Sequence, residues 1–193
     1  MRFALAAVLL LAASPPLAAQ RSLAIDRFHS EVQVREDGSI EVAETITATF
    51  TGSWNGIYRK VPVQYRTPQG FNWEIRIELL SAMDDAGAAL RTETLREGHF
   101  VKYRMWVPGA QNATRTITLR YRARNALRFF EDHDELYWNA TGDEWDVPLG
   151  MTSATVHLPG GATGLRATAF NGVYGSTSRE ADVTTVGTTV QVT

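Results

Sequence analysis

The sequence predicts an all-β chain: an antiparallel two-sheet β-sandwich of Ig-like architecture, preceded by a signal peptide. Three observations carry this. Segments in which apolar and polar residues alternate recur along most of the 193 residues, Gly-, Asn- and Pro-containing turns separate them, and beyond the N-terminal apolar run no stretch of twelve residues keeps a helical period with caps. Without crossover helices the strands must pair antiparallel, and two stacked sheets are the simplest way to bury one face of each.

The elements follow in order. Met1 and Arg2 form a short positive start, residues 3–13 are an unbroken apolar run, and Ser14-Pro15-Pro16 interrupts it before Leu17-Ala18-Ala19. The run is too short for a bilayer, which takes about 20 residues, and small Ala19 suits cleavage before Gln20, so residues 1–19 read as a signal peptide. Residues 25–34 alternate with Phe28, Val32 and Val34 on one face. Asp37-Gly38 marks a tight turn, and Ile40, Val42, Ile46, Ala48 and Phe50 then alternate with polar neighbours, completing a first hairpin. Residues 71–79 give the cleanest alternation in the chain, through Phe71, Trp73, Ile75, Ile77 and Leu79, and residues 116–124 repeat it through Ile117, Leu119, Tyr121 and Ala123. Further strands are predicted at 57–65, 100–107, 136–139, 153–158, 165–170 and 182–192. The domain map is therefore signal peptide over 1–19, β-sandwich over 20–160, and additional hairpins over 161–193 that continue the same domain and stop before a membrane helix.

Composition removes several function classes. Nineteen basic against 21 acidic residues give a net charge of −2, which offers nucleic acid no basic footprint, and no nucleic-acid partner is expected. The absence of cysteine excludes disulfides, a cysteine nucleophile, thiolate metal sites and a lipid-modified cysteine anchor. No cofactor is implied.

Two residues break the alternation on the apolar side. Glu44 shares its parity with Val42 and Ile46, and Arg59 shares its parity with Ile57 and Val61, so both side chains point inward. A lone buried charge is costly, whereas a bidentate guanidinium–carboxylate pair recovers much of the loss. Glu44 and Arg59 are therefore predicted to meet as a buried structural pair that fixes strand register.

The densest polar cluster runs from Glu131 through His133 to Glu135, with Asp143, Glu144 and Asp146 a hairpin away. It lacks the spacing of a calcium loop, and no metal site is assigned. Large aromatics lie beside the carboxylates, so Asp134, Trp138, Asp143 and Trp145 form a weak candidate binding set, since paired carboxylates with aromatic platforms suit sugars. The alternative places Trp138 and Trp145 in the core.

Five stretches then stand in one order: residues 37–44, 56–62, 121–127, 134–142 with 145–148, and 156–159, among them Gly56-Ile57-Tyr58-Arg59 and Tyr137-Trp138-Asn139-Ala140-Thr141-Gly142. Together they resemble the N-terminal extracytoplasmic domain of the YciQ-like family of predicted bacterial membrane proteins. The resemblance implies an exported domain of unknown function, in the periplasm or at the cell surface, tethered in family members by a membrane helix that this chain does not reach. It supplies no catalytic residues, and it places Glu44 and Arg59 within family motifs. The functional expectation is a non-enzymatic interaction or sensing module with an envelope protein or glycan partner. The alternative is an envelope glycan-binding module or glycoside hydrolase using residues 131–146.

Overall fold

In a computed structural model the described residues are 21–66, 70–142, 144–172 and 176–193; the signal peptide assigned to residues 1–19 lies outside them. They hold no helix and fourteen strands: β1 (Ser22–Val34), β2 (Ile40–Ser53), β3 (Gly56–Pro62), β4 (Gln64–Arg66), β5 (Asn72–Glu74), β6 (Arg76–Met83), β7 (Thr92–Glu97), β8 (Phe100–Trp106), β9 (Gln111–Arg124), β10 (Leu127–Phe129), β11 (Asp134–Leu136), β12 (Leu149–His157), β13 (Val183–Val186) and β14 (Thr189–Val192). A seven-stranded sheet runs in the order β13-β14-β12-β1-β2-β9-β6 and a three-stranded sheet in the order β3-β8-β7; two ribbons, β4-β5 and β10-β11, complete the set.

The first hairpin forms as its alternation predicts. Val34 faces Ile40 across a turn in which Gly38 has φ +76° and the Asp37 carboxylate accepts from the Ser39 amide and hydroxyl at 2.9 and 2.6 Å. In β2 the residues Ile40, Val42, Glu44, Ile46, Ala48 and Phe50 are all buried, a strict period of two. A bulge between Ile25 and Arg27 shifts the phase of β1, so that Ile25 and Phe28, of opposite parity, both face the core. Ile57, Val61 and Met105 from the smaller sheet and Phe28, Ile46 and Leu119 from the larger one join a single buried cluster, so the two sheets share one core.

Four expectations are corrected. Pairing is not antiparallel throughout: β12 lies parallel to β1, with Val32 beside Val156, because the chain returns through residues 137–148 to the end at which β1 begins and the Ile25 amide bonds the Pro148 carbonyl at 3.2 Å. Gly150 permits that approach, since a Cβ there would stand 2.5 Å from the Asp26 carbonyl oxygen raised by the bulge. The described residues thus form an all-β arrangement of seven strands against three, with one parallel neighbour pair.

The strand predicted at 71–79 is two strands in two sheets. The Ile75 amide bonds the Val63 carbonyl at 2.8 Å outside either ladder, β5 pairs with β4, and β6 pairs with β9. Phe71 lies 72% exposed, outside the alternation it was read into. Of residues 136–139 only Leu136 belongs to a strand, because the chain turns away to pack over the core, and residues 165–170 find no ladder partner.

Candidate functional site

The predicted Glu44–Arg59 pair forms at the centre of the molecule and joins the two sheets. Glu44 comes from β2 and Arg59 from β3, and their side chains are 0% and 1% exposed. Arg59 Nε donates to Glu44 Oε2 and Nη2 to Oε1, each at 2.7 Å, the bidentate fork that gives both direction and strength. Tyr121 of β9 donates its hydroxyl to Glu44 Oε1 at 2.7 Å. Arg59 Nη1 donates to the Lys60 carbonyl at 2.6 Å and Nη2 to the Ala140 carbonyl at 3.3 Å, so the segment after β11 closes over the guanidinium.

That segment shapes itself locally. The Asn139 side chain accepts from the Gly142 amide at 2.9 Å, the Trp145 indole donates to the Thr141 carbonyl at 2.8 Å, and Gly142 takes φ +76° directly beside the Arg59 guanidinium. Phe28 and Trp145, edge to face at 6.0 Å, hold the guanidinium carbon 5.5 and 5.7 Å from their ring centroids.

Tyr103, opposite Arg59 in the three-stranded sheet, stacks on Tyr121 at 5.9 Å. Burial, reinforced by the Glu44 charge, pushes both phenols well above their ordinary value near 10. A phenol whose folded pKa is raised leaves stability intact below the unfolded value and erodes it as pH climbs past 10. In alkaline titration followed by phenolate absorbance, Tyr103 and Tyr121 should therefore ionise only as the chain unfolds, and Tyr103→Phe and Tyr121→Phe should each remove one group from that late class. Substitutions that leave the late-ionising amplitude unchanged would contradict this placement.

Three members of the candidate binding set lie among the described residues. Trp138 and Trp145 are partly buried against the core, Trp138 beside Tyr121 at 6.3 Å and Trp145 beside Phe28, so they flank the ion pair. Asp134 is exposed on the β10-β11 ribbon, and Asp143 lies outside the described residues. Among the described residues no group of three His, Asp or Glu side chains could hold a metal; the exposed His133 instead meets Asp132 at 2.8 Å.

A second surface, missed in the sequence, runs along the two ribbons. Tyr137 stands edge-on to Tyr65 at 6.3 Å, Tyr65 packs on Trp73 at 5.5 Å, and Arg128 lies 5.8 Å over Trp73 and 5.2 Å over Phe130. Tyr137 is 55% exposed and Phe130 43%, an apolar display of the kind that marks a contact surface. Pairing of the ribbons brings these rings together from separate stretches, so no single periodic segment signalled them.

A family described as "Predicted membrane protein (DUF2207) N-terminal domain" matches residues 24–192. No curated protein sequence matches the chain. Among solved structures, native leukotriene A4 hydrolase of Saccharomyces cerevisiae has a TM-score of 0.54 at 10% identity, covering 88% of this chain and 26% of that one. The yeast enzyme with bestatin has the same TM-score and coverage. An M1 zinc metallopeptidase from Deinococcus radiodurans reaches 0.44 at 12% identity, covering 90% of this chain and 39% of that one. This chain thus spans about a quarter of the yeast enzyme, and the likeness is one of fold.

Proposed function

We propose a role from one premise: the chain belongs to the DUF2207 family of predicted membrane proteins, over residues 24–192 and as their N-terminal domain. It is a two-layer β-sandwich held outside the cytoplasm on a membrane tether, and it works as a non-enzymatic interaction or sensing module. The observation that carries this reading is the division of labour between the chain's two polar-aromatic groupings. Glu44, Arg59 and Tyr121 are buried and engaged with one another, which suits a structural clasp. The ribbon aromatics are instead presented to solvent on a rigid framework, as contact residues are.

A second reading, an envelope glycan-binding surface, is favoured by the same ribbons, where exposed Tyr137 follows the strand that carries exposed Asp134. Sugar rings stack on aromatic faces while carboxylates accept their hydroxyls. In that case the platform is Tyr137 with its neighbours rather than Trp138 and Trp145.

The experiment is capture from detergent-solubilised envelope fractions and, separately, co-sedimentation with insoluble envelope polysaccharide. Retention of a protein partner that falls severalfold in Tyr137→Ser and Phe130→Ser supports the interaction module, and co-sedimentation lost in the same variants supports the glycan reading. Retention equal in wild type and both variants contradicts the assignment to the ribbons.

A further inference from the structure

The last hairpin leaves a sheet edge without the usual protections. β13 is an outer strand of the seven-stranded sheet, and among the described residues no strand lies on its far side. All four of its residues are exposed, Val186 to 69%. Natural edges are blunted by charge, proline or bulges. The opposite edge, β6, carries Arg76 and Glu78 and a bulge between Leu79 and Ser81, and β7 carries Glu93, Arg96 and Glu97. β13 reads Val-Thr-Thr-Val, and from there to Thr193 the chain contains no charged side chain and no proline.

The phase of the ladder determines which groups are open. Asp182 and Thr193 exchange both backbone hydrogen bonds, at 2.9 and 3.0 Å. In an antiparallel pair such exchanging residues alternate with non-exchanging ones. With Thr184 opposite Gln191 and Val186 opposite Thr189, it is Val183 and Thr185 whose amides and carbonyls point away from β14, toward the open side.

We propose that this edge pairs with the same edge of a second copy of the chain, antiparallel about a two-fold axis through Thr184. In that register Val183 exchanges hydrogen bonds with the partner's Thr185 and the reverse, so every outward amide of both strands is used. Moving the axis to Val183 or to Thr185 is not equivalent, because the exchanging set would then reach Ala181 or Gly187, outside the strand. Charge agrees: the flanking Asp182 lies opposite the apolar Val186 of the other copy, about 13 Å from its own equivalent at roughly 3.3 Å per residue. So short a ladder buries far less than the roughly 1,200 Å² of a stable complex, and the dimer is weak and concentration-dependent. Tethering on one membrane would raise the effective concentration at which copies meet.

Two measurements on the purified chain test this. Sedimentation of the wild type should move from monomer to dimer as concentration rises to about 1 mM, the range in which a weak complex assembles. Thr185→Pro removes an outward amide without touching the bond network to β14, so it should weaken association about tenfold or more with an unchanged melting temperature. The chain has no cysteine, so a single Thr184→Cys should cross-link to itself on oxidation, as directly opposite non-exchanging residues are close enough to do. Val186→Cys should not. A wild type that stays monomeric throughout, a Thr185→Pro protein that associates like wild type, or cross-linking through position 186 in preference to 184 would each overturn the proposal.

Discussion

Replacing Arg59 by methionine lowers the stability of the folded chain by about 3–5 kcal/mol, because it strands a charged Glu44 in the core. The direction follows from what each group has around it. Glu44 is fully buried; Arg59 donates two hydrogen bonds to its carboxylate and Tyr121 a third, so the change removes the cation and leaves the phenol. Glu44→Leu takes from the buried guanidinium the carboxylate to which its Nε and Nη2 donate, and costs a similar amount. Against a total stability of about 5–15 kcal/mol for a domain, either loss is visible as a large fall in the urea midpoint. Retention of the wild-type midpoint in both variants would mean that the charges do not hold the sheets together.

Gly142→Ala should be the next most damaging change, at about 2–4 kcal/mol. Two costs add. Gly142 has φ +76°, which alanine adopts only with strain, and its Cβ would enter the space of the Arg59 guanidinium. The segment must then lift, drawing the Ala140 carbonyl off Nη2 and exposing the pair to water. Gly87→Ala provides the control: its φ is also +76°, but its Cβ would meet nothing within 4 Å. It should cost about 1 kcal/mol from the backbone alone. The difference between the two glycines, read in thermal or urea unfolding, isolates the contact with Arg59. Equal losses at both positions would show that the loop does not seal the ion pair.

Much of the framework was legible in the sequence because strand burial is a period-two signal. β2 and the second half of β9 obey it without a slip, and the inward parity of Glu44 and Arg59 was enough to pair them across 15 residues. Tyr121 could have been added on the same grounds, since it shares the inward parity of Leu119 and a buried phenol needs a partner.

What failed was information that local alternation does not hold. Residues 71–79 alternate whether they form one strand or two, and only the bond from Ile75 to Val63 shows where the chain leaves one sheet for another. The parallel return of β12 depends on a partner more than a hundred residues away, and the bulge at Asp26 that admits Gly150 has no composition signal of its own. Trp138 and Trp145 lie in segments without ladder partners, so parity said nothing about Trp145, and the rings pack against Tyr121 and over Arg59, partly buried.

The direct test of the clasp is a double-mutant cycle at positions 44 and 59, measured by equilibrium urea unfolding. The double variant Glu44→Leu with Arg59→Met removes both charges together, so neither is stranded by loss of the other, and the Tyr121 hydroxyl loses its acceptor at about 1–2 kcal/mol. The double variant should therefore be more stable than either single one, with a coupling of at least about 2 kcal/mol between the positions. Additive losses, leaving the double variant less stable than both singles, would contradict the account.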